Sequence, residues 1–273
     1  MLLTRVITAA VLLLILVVAA QAGDHVLNAV LAVGYGITLA EWLKLTKLSG
    51  TPSYLLGGCF ALAGAGLALG AADLDVFGSA YLALQLAVAC IWLAVTAVCY
   101  NARNIGFGVA RPAATVLAFV VTTATWLAVW QFLRLGSWPL LISVFMIVWL
   151  ADACAYFAGR LFGKNRMAPA ISPKKTWEGV AGGLVSVLVA ALAAYLWLPH
   201  EMVLDKAGFA AGLLMILVLV AVSVSGDLFE SSLKRQAGVK DSGRLLPGHG
   251  GFYDRLDSSL AVLPTAAAML MIV

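Results

Sequence analysis

Nine apolar runs follow one another along the chain, at about 6–22, 26–43, 54–72, 79–100, 112–133, 137–158, 177–198, 207–225 and 259–273. A bilayer-spanning helix needs ~20 predominantly apolar residues, so most of the 273 residues are committed to crossings. Backbone amides in hydrocarbon must be satisfied internally, which leaves helices or closed barrels. The runs lack the alternation of barrel strands. The sequence therefore predicts an all-α, polytopic transmembrane bundle of about nine spans. Composition agrees: 63% of residues are apolar and 11% charged, against ~45–50% and ~25% in globular chains. That excludes a water-soluble globule, a disordered tail and a disulfide-stapled secreted domain.

The few charges carry the topology. If the chain crosses at every run, one side holds fifteen basic residues and the other only Arg134 and Lys206, with Asp24, Asp73, Asp75, Glu201 and Asp205. Basic residues stay in the cytoplasm, which predicts an N-in, C-out arrangement in the inner (plasma) membrane. The first run, ending in Ala-Gln-Ala before Gly23, also fits a cleavable signal peptide; later loops keep their sides either way. A net charge of +4 scattered over loops is no nucleic-acid footprint. Cys59, Cys90, Cys99 and Cys154 form no C-x-x-C and read as structural thiols. Gly64, Gly66 and Gly70, and Gly179, Gly182 and Gly183, suit close helix approach in lipid.

Two loops on the basic side differ from the rest. The stretch 159–176 contains Ser172-Pro173-Lys174-Lys175, where Ser as N-cap and Pro as first residue predict a helix start. Two lysines there oppose the helix dipole unless an anion, such as phosphate, binds; the alternative is that they snorkel to lipid headgroups. The stretch 226–258 carries five acidic and five basic residues. On a helix continuing from the eighth run, Asp227, Ser231 and Lys234 share a face and Gly238 is a natural stop. Asp254 and Asp257 share a face if Tyr253 onward is helical. His249 sits among Gly248, Gly250 and Gly251, which permit a tight turn. Clustered carboxylates beside cations fit a Mg2+–polyphosphate site, although a salt-bridged surface hairpin has the same composition. Asp152, inside an apolar run, is either part of the site or paired with Arg160.

Residues 231–257, SSLKRQAGVKDSGRLLPGHGGFYDRLD, resemble the C-terminal signature of the phosphatidate cytidylyltransferases, the CDP-diacylglycerol synthases. Ile171-Ser-Pro-Lys-Lys-Thr-Trp-Glu-Gly179 and Asp152-x-x-Ala-Tyr156 also look like that family. The resemblance covers the half from about 136 well and the first 130 residues only by their spans. It divides one membrane domain into N-terminal helices, 1–135, and a catalytic half, 136–273.

The resemblance implies that CTP and phosphatidate give CDP-diacylglycerol and pyrophosphate, with Mg2+ and a second cation such as K+, in a homodimer among membrane lipids. On that reading Asp227 and Asp254 hold the metal and Asp257 supports it. Lys234 and His249 join the catalytic set. Lys174, Lys175, Ser172, Ser231, Arg235, Lys240, Asp241 and Arg255 bind the substrates. Related readings are an ether-lipid cytidylyltransferase or a polyprenol kinase. A transporter fits less well, because the charges crowd one face and no inverted repeat is visible.

Overall fold

A computed structural model of the chain describes residues 2–48, 50–70, 78–197 and 206–273. Eight long helices follow in order: α1 (Leu2–Ala22), α2 (Asp24–Leu45), α3 (Gly50–Gly70), α4 (Ser79–Asn101), α5 (Arg111–Phe162), α6 (Trp177–Trp197), α7 (Phe209–Ala237) and α8 (Tyr253–Leu270). A small antiparallel hairpin, β1 (Arg166–Ala168) and β2 (Ser172–Thr176), separates α5 from α6. Asp73, Asp75, Glu201 and Asp205 lie outside the described residues.

Among those residues, seven helical stretches are long and apolar enough to cross a membrane, corresponding to the second through eighth runs. The first run is helical too, with a shorter apolar stretch, Val6–Ala22. The ninth begins earlier than its apolar part: α8 starts at Tyr253 and carries Asp254, Arg255 and Asp257 before its apolar stretch.

The fifth and sixth runs form one 52-residue helix, α5. A straight rod of that length would be ~78 Å long, more than twice the ~30 Å hydrocarbon core. Yet both its ends lie at one end of the bundle. Near its start, Thr115 bonds to Thr46 (3.2 Å) and Val109 to Gln236 (3.0 Å). Beyond its end, the amide of Ala170 bonds to the carbonyl of Arg103 (3.2 Å). The helix therefore doubles back, and Pro139, which supplies no amide hydrogen and crowds the preceding turn, accounts for the place.

The same end gathers the segments after α2, α4, α5 and α7. Ser232 donates to the carbonyl of Phe107, and Ser242 Oγ to Glu41 of α2 (3.1 Å). Thr8 of α1 reaches the carbonyl of Pro247 (3.1 Å). Close helix approach is real at Gly179, Gly182 and Gly183, each against α5, and at Gly64 against Ala32 and Trp126, whereas Gly66 and Gly70 face open space. The four cysteines are unpaired.

A close crossing joins α2 to α3, where a Cβ on Gly36 would stand 2.5 Å from the carbonyl oxygen of Gly57, and one on Gly57 would strike that of Gly36. Gly57→Val should therefore cost about 1–3 kcal/mol through overpacking, read as a lower melting temperature of the detergent-solubilised protein.

Candidate active site

Helix α7 is 29 residues long, so at ~1.5 Å per residue it outruns the bilayer core and delivers its last turns to the polar end. At Gly226 it lies directly on α8: a Cβ there would come within 2.8 Å of the carbonyl oxygen of Asp257. That approach sets Asp227 beside Asp257, and one helical turn brings Glu230 to the same face. Carboxylate oxygens of Asp227, Glu230 and Asp257 all lie within 4.8 Å of one another.

Two lysines face this trio. Lys175 Nζ is 2.7 Å from Asp227 Oδ2. Burial works against its charge, but the carboxylates of Asp227, Asp152 and Asp257 together outweigh burial and hold Lys175 above the ordinary lysine range. Lys234 Nζ lies 2.5 Å from Glu230 and 2.8 Å from Asp254. With every group ionised, four carboxylates and two ammonium groups leave two negative charges uncompensated. Glu230 is 1% exposed, and its Oε1 is buried with no hydrogen-bond partner. An orphaned buried oxygen among clustered carboxylates is what a hard divalent cation would satisfy.

Asp254 adjoins the trio through Lys234, which it shares with Glu230. Its Oδ1 accepts from Lys234 (2.8 Å), and its Oδ2 from the amides of Ser242 (2.9 Å) and Gly251 (2.8 Å), while the Ser242 hydroxyl, 2.9 Å away, shares its one proton between Asp254 and Glu41. Burial opposes its charge, but Lys234 and the Gly251 amide hold its carboxyl down at about 2. Through these bonds Asp254 fastens the loop 242–251 to α8. Asp257, expected as a supporting group, lies with Asp227 and Glu230, and Asp254 adjoins Glu230 through the shared Lys234 ammonium.

The predicted helix start at Ser172 is corrected. Residues 172–176 form β2, paired so that Arg166 faces Thr176 and Ala168 faces Ser172. Pro173, without an amide hydrogen, suits a short two-stranded edge. The helix begins at Trp177 instead, capped by Thr176, whose Oγ1 accepts the amide of Gly179 (3.2 Å). Strand alternation then separates the lysines: Lys175 turns to Asp227, while Lys174 is exposed. They do not jointly point at one helix-end anion.

Elsewhere the expected geometry is present. Ser231 Oγ donates to Asp227 Oδ1 (3.2 Å). Gly238, at φ 75°, ends α7 in the left-handed region. Gly248 and Gly250 take φ 78° and 88° on either side of His249, whose carbonyl accepts Arg255 Nε (3.1 Å) and Nη2 (2.8 Å). Arg235, Lys240, Asp241 and Arg255 are exposed, and Ser172 is half-buried. Asp152 is exposed on α5, and among the described residues it makes no ion pair with Arg160; the charges that act on it most are those of Lys175, Asp227 and Arg255.

Two acids escaped the sequence reading. Glu230 sits inside the charged stretch, one turn from Asp227. Glu41, 3% exposed, accepts the amide of Tyr253 (2.9 Å) and the hydroxyl of Ser242 (3.1 Å) on Oε2. It pins the loop to α2, where Trp42 stacks on Tyr253 at 5.0 Å. The signal for Glu41 was available: it is a lone acid in the run 26–43, the pattern that marked Asp152.

Residues 3–273 match the cytidylyltransferase family. The chain is similar to a phosphatidate cytidylyltransferase of Pseudomonas aeruginosa, with 36% identity over 279 aligned residues, covering 99% of this chain and 97% of that protein. It is also similar to proteins of that name from Haemophilus influenzae, 49% identical over 46% of this chain and 43% of that protein, and Staphylococcus saprophyticus, 43% identical over 48% of each. In these last two alignments the chain spans less than half the length of the relative.

Proposed function

The chain belongs to the cytidylyltransferase family, and from that premise we propose that it transfers the cytidylyl group of CTP to phosphatidate, giving CDP-diacylglycerol and pyrophosphate. The observation that carries this reading is the trio Asp227, Glu230 and Asp257, with its orphaned Glu230 oxygen, at one end of an apolar helical bundle. A water-soluble nucleotide and a lipid headgroup can meet only at such a boundary.

The phosphatidate monoester has a second pKa of about 6, so it arrives as a dianion and needs no strong general base. Its oxygen attacks the α-phosphorus of CTP, and the bond to the leaving pyrophosphate breaks. The barrier is the repulsion between two anions, so the protein's task is positioning and neutralisation. Mg2+ suits the trio and, when bound there, supplies neutralisation at the phosphate oxygens; a second cation such as K+ belongs to the same proposal. Lys175 and Lys234 hold the carboxylates in place by their short ion pairs. Arg235 and Arg255, exposed around the trio's end of the bundle, meet incoming phosphates.

The fifteen-to-two split of basic residues, together with the gathering of the loops after α2, α4, α5 and α7, supports nine crossings, an N-in, C-out arrangement and a cytoplasmic site in the inner membrane. Homodimerisation is part of the proposal; most of α6 is left uncovered by the rest of the chain, free to meet lipid or a second copy.

Purified protein given labelled CTP and phosphatidate in micelles tests the reaction. Labelled lipid and free pyrophosphate are expected; phosphorylated lipid with free CDP would instead assign a kinase. In the same assay Lys175→Ala should lower kcat about 30-fold, roughly the ~2 kcal/mol lost when a partly buried carboxylate is left without its partner. Lys174→Ala should stay within about threefold of the unmodified protein, as a solvated lysine would.

A further inference from the structure

A cleft of about 790 Å3 lies between the C-terminal end of α2, the first turns of α3 and residues 237–245. Its wall carries four cations, Lys44, Lys47, Lys240 and Arg244. Among the described residues none of them makes an ion pair, in contrast to Lys175 and Lys234. Lys44 is held in place by Tyr54: its Nζ donates to the Tyr54 hydroxyl (3.0 Å) and stands 5.1 Å from the ring centroid. Two carboxylates share the cleft, Asp241 and Glu41. Glu41 Oε2 is already engaged with Tyr253 and Ser242. The lining therefore keeps an excess of two positive charges.

Like charges gathered on one concave surface repel one another unless an anion joins them. Phosphate is such an anion: it carries multiple charge and accepts from several cationic donors at once. The volume falls within the ~300–1,000 Å3 of small-molecule sites. The cleft also touches the carboxylate centre through bonded groups. Ser242 Oγ contacts both Glu41 (3.1 Å) and Asp254 (2.9 Å), and Asp254 in turn holds Lys234 (2.8 Å).

We propose that this cleft is a phosphate-binding site, separate from the trio, in which Lys44, Lys47, Lys240 and Arg244 grip a phosphorylated ligand. The phosphate comes from a nucleotide or from an anionic lipid headgroup; only the nucleotide source rests on the function proposed above.

The test uses the full chain in detergent and 32P-labelled pyrophosphate as probe, by equilibrium dialysis with a chelator present so that no divalent cation recruits it to the trio. Saturable binding is expected. It should weaken at least about tenfold when Lys44, Lys47 and Arg244 are all replaced by Ala, and persist in Lys44→Arg/Lys47→Arg, which keeps the charge. The melting temperature of each variant separates lost binding from lost folding. If the source is the nucleotide, the KM for CTP rises about tenfold in the alanine variant while kcat stays within twofold. If it is a lipid headgroup, stimulation by phosphatidylglycerol in nanodiscs disappears instead. Absence of saturable binding, or binding within twofold of the unmodified protein in the folded alanine variant, overturns the proposal. Because the dialysis needs no turnover, it remains informative even if the transferase assay fails.

Discussion

Asp227→Asn is expected to lower kcat about a thousandfold while leaving the protein folded and inserted. The substitution preserves shape but removes a charge from the trio and leaves Lys175 facing a neutral amide. A bound divalent cation contributes several kcal/mol to phosphoryl-type chemistry, and ~4 kcal/mol corresponds to ~10^3 in rate. The Mg2+ concentration needed for half-maximal activity should rise in parallel, because one of three anionic ligands is gone. Asp227 also receives a hydrogen bond from Ser231 (3.2 Å), which an amide oxygen can still accept, so little stability should be lost. A single-turnover assay across a Mg2+ series measures both effects. Rates near those of the unmodified protein would remove Asp227 from the centre.

Asp254→Asn should be nearly as damaging by a different route. The carboxylate receives Lys234 and the amides of Ser242 and Gly251, and shares the Ser242 hydroxyl proton with Glu41. An asparagine offers one oxygen and turns an NH2 group toward the remaining donors. Charge-assisted bonds are worth about 1.5–3 kcal/mol each, so losing two is enough to release the loop 242–251 from α8. Activity is expected to fall about a hundredfold, and limited proteolysis should find new cleavage in that loop. The Mg2+ requirement of the residual activity should change by less than about threefold, since the trio is intact. A large rise in that requirement with an undisturbed loop would return Asp254 to the metal.

The sequence makes the crossings legible because the bilayer imposes a length and an apolarity that few other folds need. Seven helical stretches follow the middle seven runs. It could not show that the fifth and sixth share one continuous helix. Pro139 signals an interruption, and only the packing of both arms tells a break from a fold-back. Local signals succeeded where geometry is local: Gly238 ends α7, Tyr253 opens α8, and the glycines around His249 make the turn. They misled at Ser172-Pro173, where N-cap chemistry and strand-edge chemistry admit the same residues and pairing with Arg166–Ala168 decided. The partition of the carboxylates was hidden for a related reason. Asp254 and Asp257 are three residues apart on one helix, and which of them meets Asp227 depends on the close crossing at Gly226. Glu41 lies two hundred residues from the hydroxyl it binds, so no spacing rule could connect them.

Crystals grown with manganese in place of magnesium, together with a non-hydrolysable CTP analogue, address the central claim most directly. Anomalous scattering should place a manganese ion between the carboxylates of Asp227, Glu230 and Asp257. An ion bound at Asp254 instead, or a bound nucleotide with no metal between those three side chains, would contradict it.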